Sequence, residues 1–196
     1  MAITYAVFAG VPGITTVHLA PFLAEELGLD YVLAVAALSG FVFASVFGRI
    51  GFGFVADYVN IKILVAFLLL LVSATLYLFS TIETLSQVPA YVILFGLAYG
   101  GIIPLRGVLQ GYFFGRTSFG TVGGFLQFVD LPATVAAPWL IGFLADEIAG
   151  GYRVGFKLIA LFVLIAVFAI LAAKRPREPL PSDAPPNILK ILSGRA

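Results

Sequence analysis

Of the 196 residues, 61% are hydrophobic and 11% charged, whereas soluble domains run at roughly 45–50% and about 25%. A water-soluble chain this apolar has too little polar surface to cover itself, so the excess must face lipid. The absence of cysteine excludes disulfides and thiolate metal sites, and a net charge of +1, with no basic stripe outside the loops and tail, leaves no footprint for nucleic acid.

A spanning helix needs about 20 predominantly apolar residues, because a hydrocarbon core about 30 Å thick is crossed at about 1.5 Å per residue. Six segments meet this: 3–24, 31–55, 63–82, 90–113, 119–144 and 153–173. The first has no basic residue before it and is too long for a signal-peptide core, so it reads as a span. It carries Pro12, Pro21 and, toward its far end, His18. The second carries Arg49 about six residues, or roughly 9 Å, from its end. The third has no charge through its centre. The fourth holds Tyr99, Pro104, Arg106 and Gln110, with Arg106 at a depth similar to Arg49. The fifth holds Gln127, Asp130, Pro132, Pro138 and Trp139, and Asp130 lies about eleven residues, or roughly 16 Å, inside, close to the midplane. The sixth is again free of charge through its centre. Beyond residue 175, Pro176, Pro179, Pro181, Pro185 and Pro186 break any helix, and 176–196 reads as a disordered cytoplasmic tail. Asn187 to Leu192 has the pattern of one or two amphipathic turns.

Short connections carry most of the charge, which favours helices over a barrel of alternating strands. The distribution of Lys and Arg sets the orientation. With the N-terminus inside, Arg49, Lys62, Arg116, Lys174, Arg175, Arg177, Lys190 and Arg195 fall on or near the inner side, and only Arg153 and Lys157 near the outer. Both termini are therefore expected in the cytoplasm.

Ionisable groups inside a bilayer are costly, about 2.5–3.5 kcal/mol for Arg or Asp at a helix centre on insertion scales, and mark functional positions. His18, Arg49, Arg106 and Asp130 are these groups, and all lie in spans one, two, four and five. Each has a plainer reading: the arginines snorkel to the interface on their long stems, His18 is a satisfied interfacial histidine, and Asp130 is a structural ion pair. Asp130 is too short and deep to snorkel, and Arg106 on the adjacent helix is its natural partner. Two arginines against one aspartate leave a positive cavity, which suits an anionic substrate carried with a proton. Gln110, Gln127, Tyr99 and Trp139 are further candidates to hydrogen-bond it. The prolines are expected to interrupt spans one, four and five and free carbonyls. Glycines four apart (Gly96 and Gly100; Gly107, Gly111 and Gly115; Gly120 and Gly124) are expected to let helices approach closely.

Gly53-Phe54-Val55-Ala56-Asp57 closes the second span and Gly142-Phe143-Leu144-Ala145-Asp146 the fifth, each the middle helix of a three-helix unit. Three is odd, so the units must be inverted relative to one another, a plan shared by many secondary transporters. The expected fold is an all-α membrane protein of six transmembrane helices built as two inverted three-helix repeats over 1–175.

Gly48-Arg49-Ile50-Gly51-Phe52-Gly53-Phe54-Val55-Ala56-Asp57 resembles the junction signature between the second and third helices of each half of the major facilitator superfamily. Gly100-Gly101-Ile102-Ile103-Pro104-Leu105-Arg106, then Tyr112 to Arg116 with Phe119-Gly120, resembles helices ten and eleven of that family. Ala137-Pro138 through Asp146, followed by Gly151-Tyr152-Arg153, resembles the end of helix eleven and its outer turn. The likeness runs over about 3–175. It looks closest to the monocarboxylate and oxalate–formate branch, which carries an arginine deep in helix eight where Arg49 stands. Ser45 occupies the place of an aspartate found in that branch's animal members, and Tyr58, Asn60 and Ile61 replace the basic and Gly-Arg residues of the junction signature.

The resemblance implies a secondary active transporter working by alternating access on a small organic anion such as a monocarboxylate, with proton symport. It implies a cytoplasmic gate at Asp57, Lys62 and Arg116, and a place in the plasma (bacterial inner) membrane. Helices three and six would face lipid while the other four line the cavity. Carriers of this family have twelve helices with the site between two halves, so the chain is expected to be the C-terminal half. Its partner would be the missing N-terminal half or a second copy. No cofactor or metal is implied. An intramembrane enzyme would need a nucleophile motif around Ser39 or Ser45, or a metal site, that the sequence lacks, and paired Asn-Pro-Ala turns of a water channel are absent. The alternative is a non-transporting membrane partner or regulatory subunit.

Overall fold

A computed structural model describes residues 2–115 and 119–174. They form α1 (Ala2–Leu27), α2 (Tyr31–Val55), α3 (Ile61–Phe79), α4 (Val88–Phe114), α5 (Phe119–Glu147) and α6 (Gly151–Ala172), with one 3-10 turn at Leu85–Gln87 before α4. All six are long and apolar enough to cross a membrane. The expected tail 176–196 lies outside the described residues.

Local chemistry sets the ends. Asp30 caps α2 by accepting from the Val32 amide at 2.8 Å, and Asn60 caps α3 by accepting from the Lys62 amide at 3.0 Å. The Asn60 cap starts α3 ahead of the expected 63, and the helix stops at Phe79, short of 82. Gly28 and Gly150, with φ of 62° and 71°, make the turns between α1 and α2 and between α5 and α6. The prolines differ from expectation. Pro12, Pro21, Pro104, Pro132 and Pro138 all sit inside unbroken helices. Each removes one helix N–H, which leaves the carbonyls of Phe8, Val17, Gly100, Phe128 and Thr134 without their usual donor, while packing on neighbouring helices carries the chain through.

The dominant pairings are α2 on α4, α1 on α5, and α3 on α6, followed by α3 on α4, then α5 on α6, then α1 on α2 and on α6. Exchanging α1 with α4, α2 with α5 and α3 with α6 turns α2–α4 into α1–α5, returns α3–α6 and turns α3–α4 into α1–α6, as an internal two-fold repeat requires. The pairing of α5 on α6 has no equal counterpart in α2 on α3. The contacts themselves repeat. Gly96 of α4 packs on Phe41 and Ala44 of α2, and Gly10 of α1 packs on Ala133 and Ala137 of α5. In the register that sets Gly53 against Gly142, Ala44 falls opposite Ala133. The middles of α2 and α4 approach backbone to backbone: a Cβ on Gly48 would strike the Leu97 carbonyl, and one on Gly100 the Ser45 carbonyl. Gly96 and Gly100 thus do the close packing expected of them. Gly111, Gly120 and Gly124 meet nothing within 4 Å, and Gly107 only the Phe119 ring at 4.0 Å. The reason is that α4 and α5 touch only briefly, and their contact at this end runs through the Gln110 amide, which meets Phe119 and Gly123. Gly115 instead ends α4 with a φ of 73°.

An aromatic core ties α1, α3, α4 and α6: Phe22 meets Phe156 at 5.0 Å, Phe79 meets Phe95 at 5.7 Å and Phe156 at 6.0 Å. The exposed stripe of α3 (Ile63, Phe67, Leu70, Tyr77) and that of α6 (Leu161, Phe162, Ile165, Phe168) are apolar, as lipid-facing surfaces must be. The least covered helices are α2 and α5, and their open faces mix Ser39, Arg49 and Gln127 with phenylalanines and Trp139.

Candidate functional site

Two of the deep ionisable groups, Arg106 and Asp130, meet where α4 and α5 approach α1. Asp130 is buried, and its Oδ2 receives the Arg106 guanidinium in an ion pair; the side chains are 8% and 32% exposed respectively. The pair is asymmetric: the carboxylate is sealed in, while the guanidinium reaches the open face. Asp130 Oδ1 is buried without a hydrogen-bond partner among the described residues. Such an atom loses its hydration uncompensated. The Thr134 hydroxyl donates back to the Asp130 carbonyl at 3.0 Å.

Tyr5 completes the cluster. Its hydroxyl donates to the Arg106 carbonyl at 2.8 Å, and the Arg106 guanidinium lies 5.0 Å from its ring centroid, within cation–π range. Sequence reasoning passed over Tyr5. The available signal was a phenol in an apolar span, which needs a hydrogen-bond partner when buried.

Arg49 is exposed on α2 and has no ion-pair or hydrogen-bond partner among the described residues. Tyr99 lies within Coulombic range of both Arg49 and Arg106, its ring stacked on Phe95 and tilted against Phe41. Tyr5, Arg106 and Asp130 form one cluster, and Arg49 lies on α2, the helix with the most extensive packing on α4.

The other candidates lie elsewhere or are occupied. Gln110 is buried one turn from Arg106, but its Nε2 donates to the Phe119 carbonyl and Gly123 packs against the amide, so it ties α4 to the start of α5. Gln127 is exposed on α5. His18 is about thirteen residues along α1 from Tyr5, roughly 20 Å away. Its Nε2 must carry a proton, because it lies 2.8 Å from the Pro138 carbonyl, which can only accept. Gly142 lies against that ring, where a Cβ would come within 3.4 Å of His18 Cε1, an ordinary contact. His18 therefore joins α1 to α5 and stands apart from the arginine cluster. At the expected gate, Asp57 is exposed in the turn after α2, whereas Lys62 Nζ donates to the Ala173 carbonyl at 2.7 Å and fastens α3 to the end of α6. Arg116 lies outside the described residues. At the opposite end Arg153 bridges α6 to Glu26 of α1 at 3.0 Å and to the Ser80 carbonyl at 3.2 Å.

Compared with known families, the chain matches the sequence model of the Major Facilitator Superfamily over residues 1–195. The chain belongs to this superfamily. No curated relative matches it. Membership makes it an integral membrane protein of a transporter family, one that sits in a lipid bilayer and binds a small-molecule substrate. The exposed faces of α3 and α6 are apolar, as lipid contact requires, whereas the open faces of α2 and α5 also carry Ser39, Arg49 and Gln127.

Proposed function

We propose that the open face around Arg49 and Arg106 binds a small organic anion, such as a monocarboxylate, and moves it across the membrane by alternating access with a proton. The observation that carries this reading is the buried Asp130 holding a part-exposed Arg106, with Arg49 exposed on the neighbouring α2 and without an ion-pair partner among the described residues. A planar guanidinium matches a carboxylate in a two-point hydrogen-bonded fork, and in a low-dielectric face its charge acts over longer range than in water.

The proton enters through the same pair. While Asp130 is ionised it holds Arg106, and an incoming carboxylate must compete for the guanidinium. Once Asp130 is protonated the guanidinium is released to the substrate, so proton and anion bind together. Tyr5 keeps the Arg106 backbone in place throughout. The resemblance of Arg49 and its flanking residues to the monocarboxylate branch supports the choice of substrate class. It also supports a cytoplasmic location for both termini in a plasma membrane, as does the Lys and Arg distribution.

A pathway needs a second wall. The mixed polar and apolar faces of α2 and α5 fit a second six-helix unit, either an N-terminal half or another copy of this chain. The test is counterflow of radiolabelled lactate, oxalate and formate into proteoliposomes holding the chain with that second unit. Saturable uptake abolished by Arg106→Ala is expected. Uptake of an uncharged solute but none of the three anions refutes the anion assignment. A non-transporting partner subunit would show no counterflow of any kind.

A further inference from the structure

Where α2 and α4 meet backbone to backbone, at Gly48, Gly96 and Gly100, nothing fits between them. Toward the ends at which both helices begin, a cleft of about 310 Å³ lies between them instead. Its floor is Val88 and Val92 of α4, both buried. Leu33, Ala36 and Gly40 of α2 form the facing wall, and Leu29 and Leu85, in the connections that precede the helices, frame the mouth. The remaining lining residues, Ala37, Pro89 and Ile93, complete a surface without one polar side chain. The inner end is closed: a Cβ on Gly40 would already touch Val92 Cγ1 at 3.6 Å, and Phe41 and Ala44 pack next on Gly96.

The dimensions select what fills it. Leu29 to Gly40 spans about eleven residues, or roughly 16 Å of helix rise. A volume of 310 Å³ spread over that length leaves a channel about 5 Å across, half the diameter of about 10 Å that a helix needs. A helix of another unit is therefore too wide to enter, and a single unbranched hydrocarbon chain is not. Depth agrees. The 25 residues of α2 rise about 37 Å against a hydrocarbon core of about 30 Å, so the mouth stands among lipid headgroups and the cleft runs down among acyl chains. Left unfilled, its walls would forfeit their dispersion contacts on one side.

The mouth also carries charge of one sign. Asp30 and Glu83 are the ionisable residues of the connections 28–30 and 80–87, and both are exposed. Asp30 Oδ1 accepts from the Val32 amide, while its Oδ2 and the Glu83 carboxylate have no hydrogen-bond or ion-pair partner among the described residues. Of the cations at this end, Arg153 is held by Glu26 and the Ser80 carbonyl, and Lys157 lies on α6, outside the cleft lining. An acidic headgroup is repelled here and an ammonium is drawn in.

We propose that this cleft is a lipid site: one acyl chain of an ammonium-bearing, zwitterionic phospholipid lies between α2 and α4, with its headgroup against Asp30 and Glu83. Chain and headgroup are selected separately, the first by the width of the cleft and the second by the charge at its mouth. The site uses none of the residues assigned to the anion and stands whether or not that assignment does.

The single tryptophan of the chain allows a direct test. In a Trp139→Phe background, Ile93→Trp places a reporter on the lip of the cleft, about half exposed, and Leu158→Trp a control on the exposed stripe of α6. The full chain is reconstituted in phosphatidylglycerol vesicles, and chain-brominated phosphatidylcholine is added stepwise while fluorescence quenching is read. Quenching of Leu158→Trp should follow the bulk lipid composition. Ile93→Trp should reach half-quenching at an about fivefold lower fraction of the brominated lipid, the effect of about one charge acting at the headgroup layer. Leu85→Trp, at the mouth, should report the same preference from a second position. Asp30→Asn with Glu83→Gln, which keeps a side chain able to cap α2, should return Ile93→Trp to the bulk curve. Ala36→Leu, which narrows the channel from an exposed position, should do so with both carboxylates in place. Coincident curves for Ile93→Trp and Leu158→Trp in the parent chain overturn the proposal. A preference that survives the double charge variant overturns the assignment of the headgroup. Loss of quenching at Ile93→Trp as protein density rises, with either lipid brominated, overturns the site in favour of cover by a second protein unit.

Discussion

Replacing either member of the Arg106–Asp130 pair should destabilise the bundle by different amounts. Removing one partner from a buried ion pair costs about 3–5 kcal/mol, because a charge is left uncompensated. Here the two orphans differ. Arg106→Leu leaves the Asp130 carboxylate, 8% exposed and with Oδ1 already unpartnered, sealed in the helix interface. The cost should lie at the lower end of that range, about 3 kcal/mol, because the group can relieve it by taking up a proton. Asp130→Asn leaves Arg106, whose side chain is 32% exposed, free to turn toward the open face while keeping its contact with the Tyr5 ring. Discounted for that exposure, the loss should be about 1–2 kcal/mol. The double variant Arg106→Leu/Asp130→Asn leaves no uncompensated charge and should recover much of the loss, a coupling of about 1.5–2.5 kcal/mol. Equilibrium unfolding in mixed micelles, followed by intrinsic fluorescence at fixed pH, measures all three. Additive losses, or an Asp130→Asn variant less stable than Arg106→Leu, would refute the reasoning that the carboxylate is the sealed partner and the guanidinium the mobile one.

Glycines of the same spacing should respond in opposite ways: Gly100→Val drives side-chain atoms into the Ser45 backbone and should abolish folding or cost upward of about 3 kcal/mol. Gly111→Ala and Gly124→Ala meet open space and should stay within about 0.5 kcal/mol or gain slightly from helix propensity; melting in detergent separates the two classes. Anion uptake should rise as pH falls, since protonation of Asp130 frees Arg106 for substrate, and should become nearly pH-independent in Asp130→Asn; uptake that rises with pH in the parent protein refutes the coupling. Tyr5→Phe keeps the ring over Arg106 but removes the hydroxyl bond to its carbonyl, and should cost about 1 kcal/mol in the same unfolding assay. His18→Phe should lower stability by a similar amount through loss of the Pro138 contact and leave anion affinity unchanged, which distinguishes a helix tie from a substrate ligand.

The six helices were legible because the bilayer imposes a length on any apolar segment, and the repeat because Gly53–Asp57 and Gly142–Asp146 close corresponding helices. Arg106 and Asp130 could be paired in advance for a simple reason: a short carboxylate deep in a span has to find a cation nearby. What the sequence withheld was facing. An amphipathic soluble helix announces its buried side by periodicity, but α1, α4 and α5 are apolar nearly all round. Nothing in the pattern tells that Gln110 turns to the Phe119 carbonyl, that Lys62 caps α6, or that His18 finds Pro138. The glycine spacing misled for the same reason. A four-residue interval shows that a smooth stripe exists, and only the neighbouring helix decides whether anything packs on it.

The repeat and the site stand in opposition, and that opposition locates the chemistry. In the register that matches Gly53 with Gly142, Ser45 falls opposite Thr134, and both hydroxyls fold back to a carbonyl of their own helix, Val42 and Asp130 respectively. The packing positions are therefore conserved between the two units in type as well as in place. The ionisable positions are not. Asp130 falls opposite Phe41, and Arg49 opposite Pro138. Phe41 and Asp130 are both buried, so the same recess holds an apolar ring in one unit and a carboxylate in the other. A carboxylate in that recess is more expensive than a phenylalanine by several kcal/mol before pairing, and packing alone gives no reason to keep it. The symmetric framework accounts for how the helices hold together. Its departures from symmetry at Arg49 and Asp130, the second of them paired with Arg106, are where a function must be found to explain the cost.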